Sequence, residues 1–203
     1  MARKRVAILI SGRGSNMAAL VAAAKAPDYP AEIVLVVSSR TDAEGLVRAT
    51  AAGIPTFAVA ASTFADRTAF ERSLDATLVR ARIDIVCLAG FMRVLSADFV
   101  SRWPDRIVNI HPSLLPAFPG LDTHTRAIAA GVPEHGCTVH FIREGVDDGP
   151  IIAQAVVPVL AADTSDTLAA RVLVEEHRLY PEALALVASG RARVVEGRVV
   201  ISG

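Results

Sequence analysis

The sequence predicts an α/β fold, a Rossmann-like, mostly parallel twisted sheet with helices on both faces. Three observations carry the prediction. Short β-rich runs alternate with longer helical patterns through the first half of the chain, an order that gives parallel strands joined by crossover helices. The first two runs, Val6–Ile10 and Ile33–Ser38, contain almost no polar residue, as strands buried on both faces do. Between the first strand and the first helix stands Ser11-Gly12-Arg13-Gly14-Ser15-Asn16, a glycine-rich turn.

Each element follows from local signals. Asn16–Lys25 reads as an Ala-rich helix, and Glu44–Ala52 as a helix stopped by Gly53 ahead of Pro55. Thr56–Ala60 reads as a third strand. Thr63 is the predicted cap of a helix running to about Arg82. Strands Ile83–Leu88 and Ile107–Ile110 follow, with a helix from Ser96 to Arg102 between them. After His111 the pattern changes: Pro112, Pro116, Pro119 and Gly120 crowd a loop, and a short helix spans Thr125–Ala130. Thr138–Ile142 and Ile151–Pro158 read as strands around the turn-rich segment 144–150. A long helix, Thr167–Ser189, contains Pro181, which predicts a kink or break. Val194–Glu196 and Val199–Ile201 flank Gly197 as a terminal hairpin. No linker or repeat interrupts the chain, so residues 1–203 read as one domain.

Composition narrows the function. The 21 basic and 21 acidic side chains cancel, which argues against a general nucleic-acid binder and leaves any anionic ligand to a local site. The apolar run Val6–Ile10 is too short for a signal-peptide core, and no run approaches a membrane span, so the cytoplasm is the expected location. Cys87 and Cys137 lie in apolar runs without a C-x-x-C pair and read as buried thiols. His135 and His140 lack helical zinc spacing, so no metal is expected.

Two segments point to chemistry. In the glycine-rich turn, backbone N–H groups and a helix N-terminus can meet a phosphate. A dinucleotide loop fits less well, because Met17 stands where close helix–strand packing needs a small residue. Ser38-Ser39-Arg40 at the end of the second strand keeps an NADP-dependent oxidoreductase open as the weaker alternative. The second segment is Asn109-Ile110-His111-Pro112-Ser113 at a strand end. Strand alternation puts Asn109 and His111 on one face, an amide donor for an oxyanion beside an imidazole that can move a proton. Asp147 in Asp147-Asp148-Gly149-Pro150 is a carboxylate that would favour a charged imidazole if the fold brought it close. A serine hydrolase is disfavoured: there is no G-x-S-x-G elbow, and Ser113 follows His111 too closely.

These segments, with Ile10–Asn16, Leu88–Leu95, Asn109–Pro116, Glu134–His140, Asp147–Pro150 and Glu176-His177, run in order along nearly the whole chain. Together they resemble the phosphoribosylglycinamide formyltransferase family, folate-dependent enzymes of purine synthesis, and imply the formyltransferase fold. The resemblance implies transfer of the formyl group of 10-formyltetrahydrofolate to the amine of phosphoribosylglycinamide. It assigns the catalytic roles to Asn109, His111 and Asp147. Gly14, Ser15, Asn16 and Glu176 would bind the ribonucleotide. Arg67, Met92, Arg93, Val94, Leu95 and Asn109 would hold the folate, with loop residues Arg143, Glu144, Gly145, Val146 and Asp147 closing over its pterin. Residues 1–111 would then be the nucleotide-binding half, and 112–203 the folate-binding and C-terminal half. The expected partners are small molecules, with neither nucleic acid nor membrane, in a monomer or homodimer. A formyltetrahydrofolate hydrolase or a methionyl-tRNA formyltransferase is the near rival, and each would carry an additional domain for which this chain leaves no room. Asp148 beside Asp147 leaves open which carboxylate serves His111.

Overall fold

In the computed structural model, which describes residues 2–202, a seven-stranded sheet carries six helices, and a two-stranded hairpin ends the chain. The elements in order are β1 (Lys4–Ile10), α1 (Ser15–Ala23), β2 (Ala31–Ser38), α2 (Glu44–Ala51), β3 (Thr56–Ala58) and α3 (Arg67–Arg80). They continue with β4 (Ile85–Leu88), α4 (Ala97–Ser101), β5 (Ile107–His111), α5 (Thr123–Ala129) and β6 (Glu134–Phe141). The chain ends with β7 (Ile151–Pro158), α6 (Ser165–Ala188), β8 (Ala192–Val195) and β9 (Arg198–Ile201). Strand order is β3-β2-β1-β4-β5-β6-β7. The first five strands are parallel, and β6 and β7 add antiparallel.

The central strand β1 shows why the sheet needs apolar sequence on both faces. Val6, Ile8 and Ile10 belong to a core with α1 and α6; Ala7 and Leu9 alternate into a second core with Phe70, Leu74 and Leu78 of α3. All five are fully buried. Burial also pushes the thiols of Cys87 and Cys137 up to about 12, chiefly through desolvation, so both stay protonated.

Most element ends differ from the sequence reading by one to three residues, and four differences have a visible physical cause. Helix α3 is capped by Asp66, whose side chain accepts from the Ala69 N–H at 2.8 Å, not by Thr63. Thr63 closes a preceding 3-10 turn, with its hydroxyl on the Ala60 carbonyl. Helix α5 starts at Thr123, whose hydroxyl donates to the Pro112 carbonyl at 2.6 Å. Strand β6 starts at Glu134 because Glu134, His135 and Gly136 pair with Pro158, Val157 and Val156. Gly136 is required there: a Cβ would run into the Ala155 carbonyl. Helix α6 passes through Pro181 without a break. Buried Tyr180, Ala183 and Leu184 fix the helix on either side, so packing outweighs the lost backbone hydrogen bond.

Candidate active site

The strand order reverses between β1 and β4, which both continue from this point outward, and ligands of open α/β sheets bind beyond the strand ends at such a switch. A cavity of about 640 Å³ opens there. Asn16 reaches it from the start of α1, Leu88 and residues 90–95 from the end of β4 and the segment after it, and Asn109 to Pro112 from β5. Loop residues 142–147 and 120–125 form the facing side.

Asn109 and His111 stand on one face of β5, as alternation predicts. Register brings a third ring beside them, because β6 runs antiparallel and sets His140 opposite Asn109. The Asn109 amide nitrogen lies 3.2 Å from His140 Nε2. His140 Nδ1 lies 3.0 Å from the Phe141 carbonyl, which can only accept, so Nδ1 carries the hydrogen. Burial lowers the pKa of His140 and holds the ring neutral. Its Nε2 is therefore an acceptor, and it fixes the Asn109 side chain with the NH₂ on this side. The 3.7 Å separation of His140 Nε2 from Asp147 Oδ1 is consequently not an ion pair.

His111 is 5% exposed and is held through both nitrogens. Nε2 lies 3.0 Å from the Phe118 carbonyl. That carbonyl also requires a donor, so Nε2 keeps its hydrogen in either charge state. Nδ1 is then the nitrogen that gains and loses a proton, and it lies 3.3 Å from Asp147 Oδ2. The same carboxylate oxygen accepts the Gly120 N–H at 2.9 Å. Asp147 itself has φ 52°, which turns its side chain inward; Asp148 is exposed, so Asp147 is the carboxylate at His111. Ser113, the rejected nucleophile, is fully buried and donates to the Ala117 carbonyl at 2.6 Å.

At the other end of the cavity the Asn16 amide donates to Glu176 Oε2 at 2.5 Å. Burial raises the pKa of Glu176, and the Asn16 bond partly opposes that shift. The buried Asn16 carbonyl oxygen has no partner among the described residues. Met92, Arg93, Val94, Leu95, Arg143, Glu144, Gly145 and Val146 also line the cavity. Three predicted residues do not. Arg67 lines a neighbouring depression that shares Met92, Arg93 and Val94, and its guanidinium lies 3.8 Å from the Glu71 carboxylate. Gly14 is the left-handed N-cap of α1, packed inward, and Ser15 opens that helix.

Sequence reasoning missed His140, the Phe118 carbonyl and the Gly120 N–H as parts of this site. His140 lay in a different predicted strand, Thr138–Ile142, and only the antiparallel register sets it opposite Asn109. The other two are backbone groups of a loop, which no residue type announces.

The formyl transferase family profile matches residues 4–184. The phosphoribosylglycinamide formyltransferase of Escherichia coli is 44% identical over 98% of this chain and 93% of its own. The human trifunctional purine biosynthetic protein adenosine-3 is 47% identical over 96% of this chain, which spans 19% of that protein's length; for the Drosophila melanogaster protein of that name the values are 51%, 95% and 14%. Among solved structures, glycinamide ribonucleotide transformylase 1 from Symbiobacterium toebii superposes with a TM-score of 0.96 at 46% identity, covering 99% of this chain and 95% of that one. The phosphoribosylglycinamide formyltransferase of Brucella melitensis gives 0.89 at 55% identity, covering 95% and 98%. By profile, sequence and fold, the chain belongs to the formyl transferase family, and within it to the phosphoribosylglycinamide formyltransferases.

Proposed function

We propose that the protein transfers the formyl group of 10-formyltetrahydrofolate to the amine of phosphoribosylglycinamide, giving the formylated ribonucleotide and tetrahydrofolate. The observation that carries this reading is the convergence of the Asn109 amide, the His111 imidazole and the Asp147 carboxylate on one cavity. The cavity suits the two substrates. Met92, Val94, Leu121 and Val146 are among the exposed large apolar side chains of the molecule, and all four line it, as a flat aromatic co-substrate would require. The buried, polar Asn16–Glu176 pair suits the ribonucleotide.

In this reaction Asn109 donates its second amide hydrogen to the formyl oxygen as the substrate amine attacks the formyl carbon and negative charge develops. The charged His111 ring beside it adds to this stabilisation electrostatically. Asp147 stabilises positive charge on the ring, which then passes the Nδ1 proton to the departing folate nitrogen as the old C–N bond breaks. The attacking amine loses a proton in return, so the ring's charge is restored. His140 and the Phe118 carbonyl keep the amide and the ring in these orientations.

Removing one donor of this kind costs roughly 100- to 1000-fold in rate. Asn109→Ala and His111→Ala should each lose turnover on that scale in a steady-state assay while retaining the circular dichroism of the wild type. A folded variant that turns over like the wild type would refute the assignment.

A further inference from the structure

Gly45 belongs to no predicted motif and does not line the cavity. It is the buried second residue of α2, and its N–H donates to the Gly12 carbonyl at 3.0 Å. Ala43, the N-cap, offers no side-chain acceptor, so this loop carbonyl satisfies one of the helix's free donors. The approach is tight. A Cβ on Gly45 would lie 2.5 Å from Ile10 Cδ1, 3.1 Å from Gly12 O and 3.3 Å from Gly14 Cα. A Cβ on Gly14 would lie 3.0 Å from Gly45 Cα. The first of these contacts is with the end of a side chain and can yield; the others are with backbone. In a trans peptide the C=O and the next N–H point opposite ways. With the Gly12 carbonyl pinned on α2, the Arg13 N–H is therefore turned to the other side of the loop, away from that helix.

We propose that Gly45 is a positioning residue for phosphate recognition: it holds the Gly12–Arg13 peptide so that the loop's N–H groups face the phosphate of the acceptor ribonucleotide. This rests on the reading of Ser11–Asn16 as the phosphate loop. Any side chain at position 45 pushes on Gly12 O and Gly14 and turns that peptide. The damage falls on ribonucleotide binding and spares the Asn109–His111–Asp147 centre, which stands on β5 and on the loop after β6.

The test measures kcat and KM of Gly45→Ala for both substrates, with phosphoribosylglycinamide and with its dephosphorylated riboside as acceptors. The wild type should strongly prefer the phosphorylated acceptor. Gly45→Ala should raise KM for the ribonucleotide roughly 10- to 100-fold, the cost of hydrogen bonds to a charged group. KM for the folate, kcat, and kcat/KM for the riboside should stay near wild type. The double variant Ile10→Val/Gly45→Ala removes the Cδ1 contact and should keep the raised KM. If the wild type treats both acceptors alike, the phosphate-loop reading fails and the proposal falls with it. If the wild type discriminates and Gly45→Ala does so equally well, only the role of Gly45 is refuted. A double variant with wild-type KM would assign the effect to core crowding, and loss of folding in both backgrounds or an equal loss for both substrates would assign Gly45 to the fold; each overturns the proposal.

Discussion

Asn109 and His111 owe their competence to neighbours that hold them in one orientation. An amide or imidazole free to flip would present the wrong atom to a developing oxyanion half the time. His140 prevents this for Asn109 because its own Nδ1–H is committed to the Phe141 carbonyl and burial keeps it neutral. Replacing His140 by Leu removes the acceptor and frees the amide. Misorientation at this scale costs up to about 100-fold, so kcat of His140→Leu should fall roughly 10- to 100-fold with both KM values little changed. His140→Gln, which can still accept, should recover part of the loss; a Leu variant with wild-type kcat would show that His140 does not set the amide. At this scale the sequence was informative where chemistry is written in residue type. Asn109, His111 and Asp147 could be picked out and do meet. Asp147 could not be told from Asp148, because the difference lies in a left-handed backbone at one position.

Elements place these residues, and α6 does so from behind. Its Tyr180 is fully buried, and its hydroxyl donates to the carbonyls of Leu88, at 3.0 Å, and Val108, at 2.9 Å. These are the last residue of β4 and the residue before Asn109 in β5, so one hydroxyl ties together the two strands that carry the cavity wall. Tyr180→Phe leaves both buried acceptors without this donor, and the expected loss is about 1–3 kcal/mol in urea unfolding with the m-value unchanged. A change below about 0.5 kcal/mol, the range of a neutral surface substitution, would mean that the clamp contributes nothing. The buried strands were legible from their apolar runs, and β7 was read with the bounds it has. Cap positions and breaks were less so. Thr63 and Asp66 are both good caps, and three residues of 3-10 turn decide between them. Pro181 signals a break that the packing of Tyr180, Ala183 and Leu184 overrides. Strand pairing of β6 depends on long-range register, which local sequence does not encode.

The whole molecule carries its buried histidines as an acid liability. His135 lies between the rings of Phe118 and His124, and desolvation, with a smaller contribution from His124, lowers it from 6.5 to about 4. The unfolded chain takes up this proton near 6.5 and the folded chain only near 4, so between those values the unfolded state binds more protons and stability falls as pH falls. His124, His140 and His177 are lowered by burial in the same direction. Thermal melts across this range should show Tm declining with acid, and His135→Phe should flatten the decline; an unaltered slope would clear His135 of the effect. Among the described residues no helix is long and apolar enough to cross a membrane. The sheet's switch point, the apolar wall and the polar pair at Asn16 and Glu176 all open on one cavity, which suits a group transfer between two small molecules held side by side. Its most direct test mixes the wild-type protein with 10-formyltetrahydrofolate and follows deformylated folate by absorbance, with and without phosphoribosylglycinamide. The account predicts release only when the ribonucleotide is present. Release without it would make the protein a hydrolase, and no release in either case would contradict formyl transfer to this acceptor.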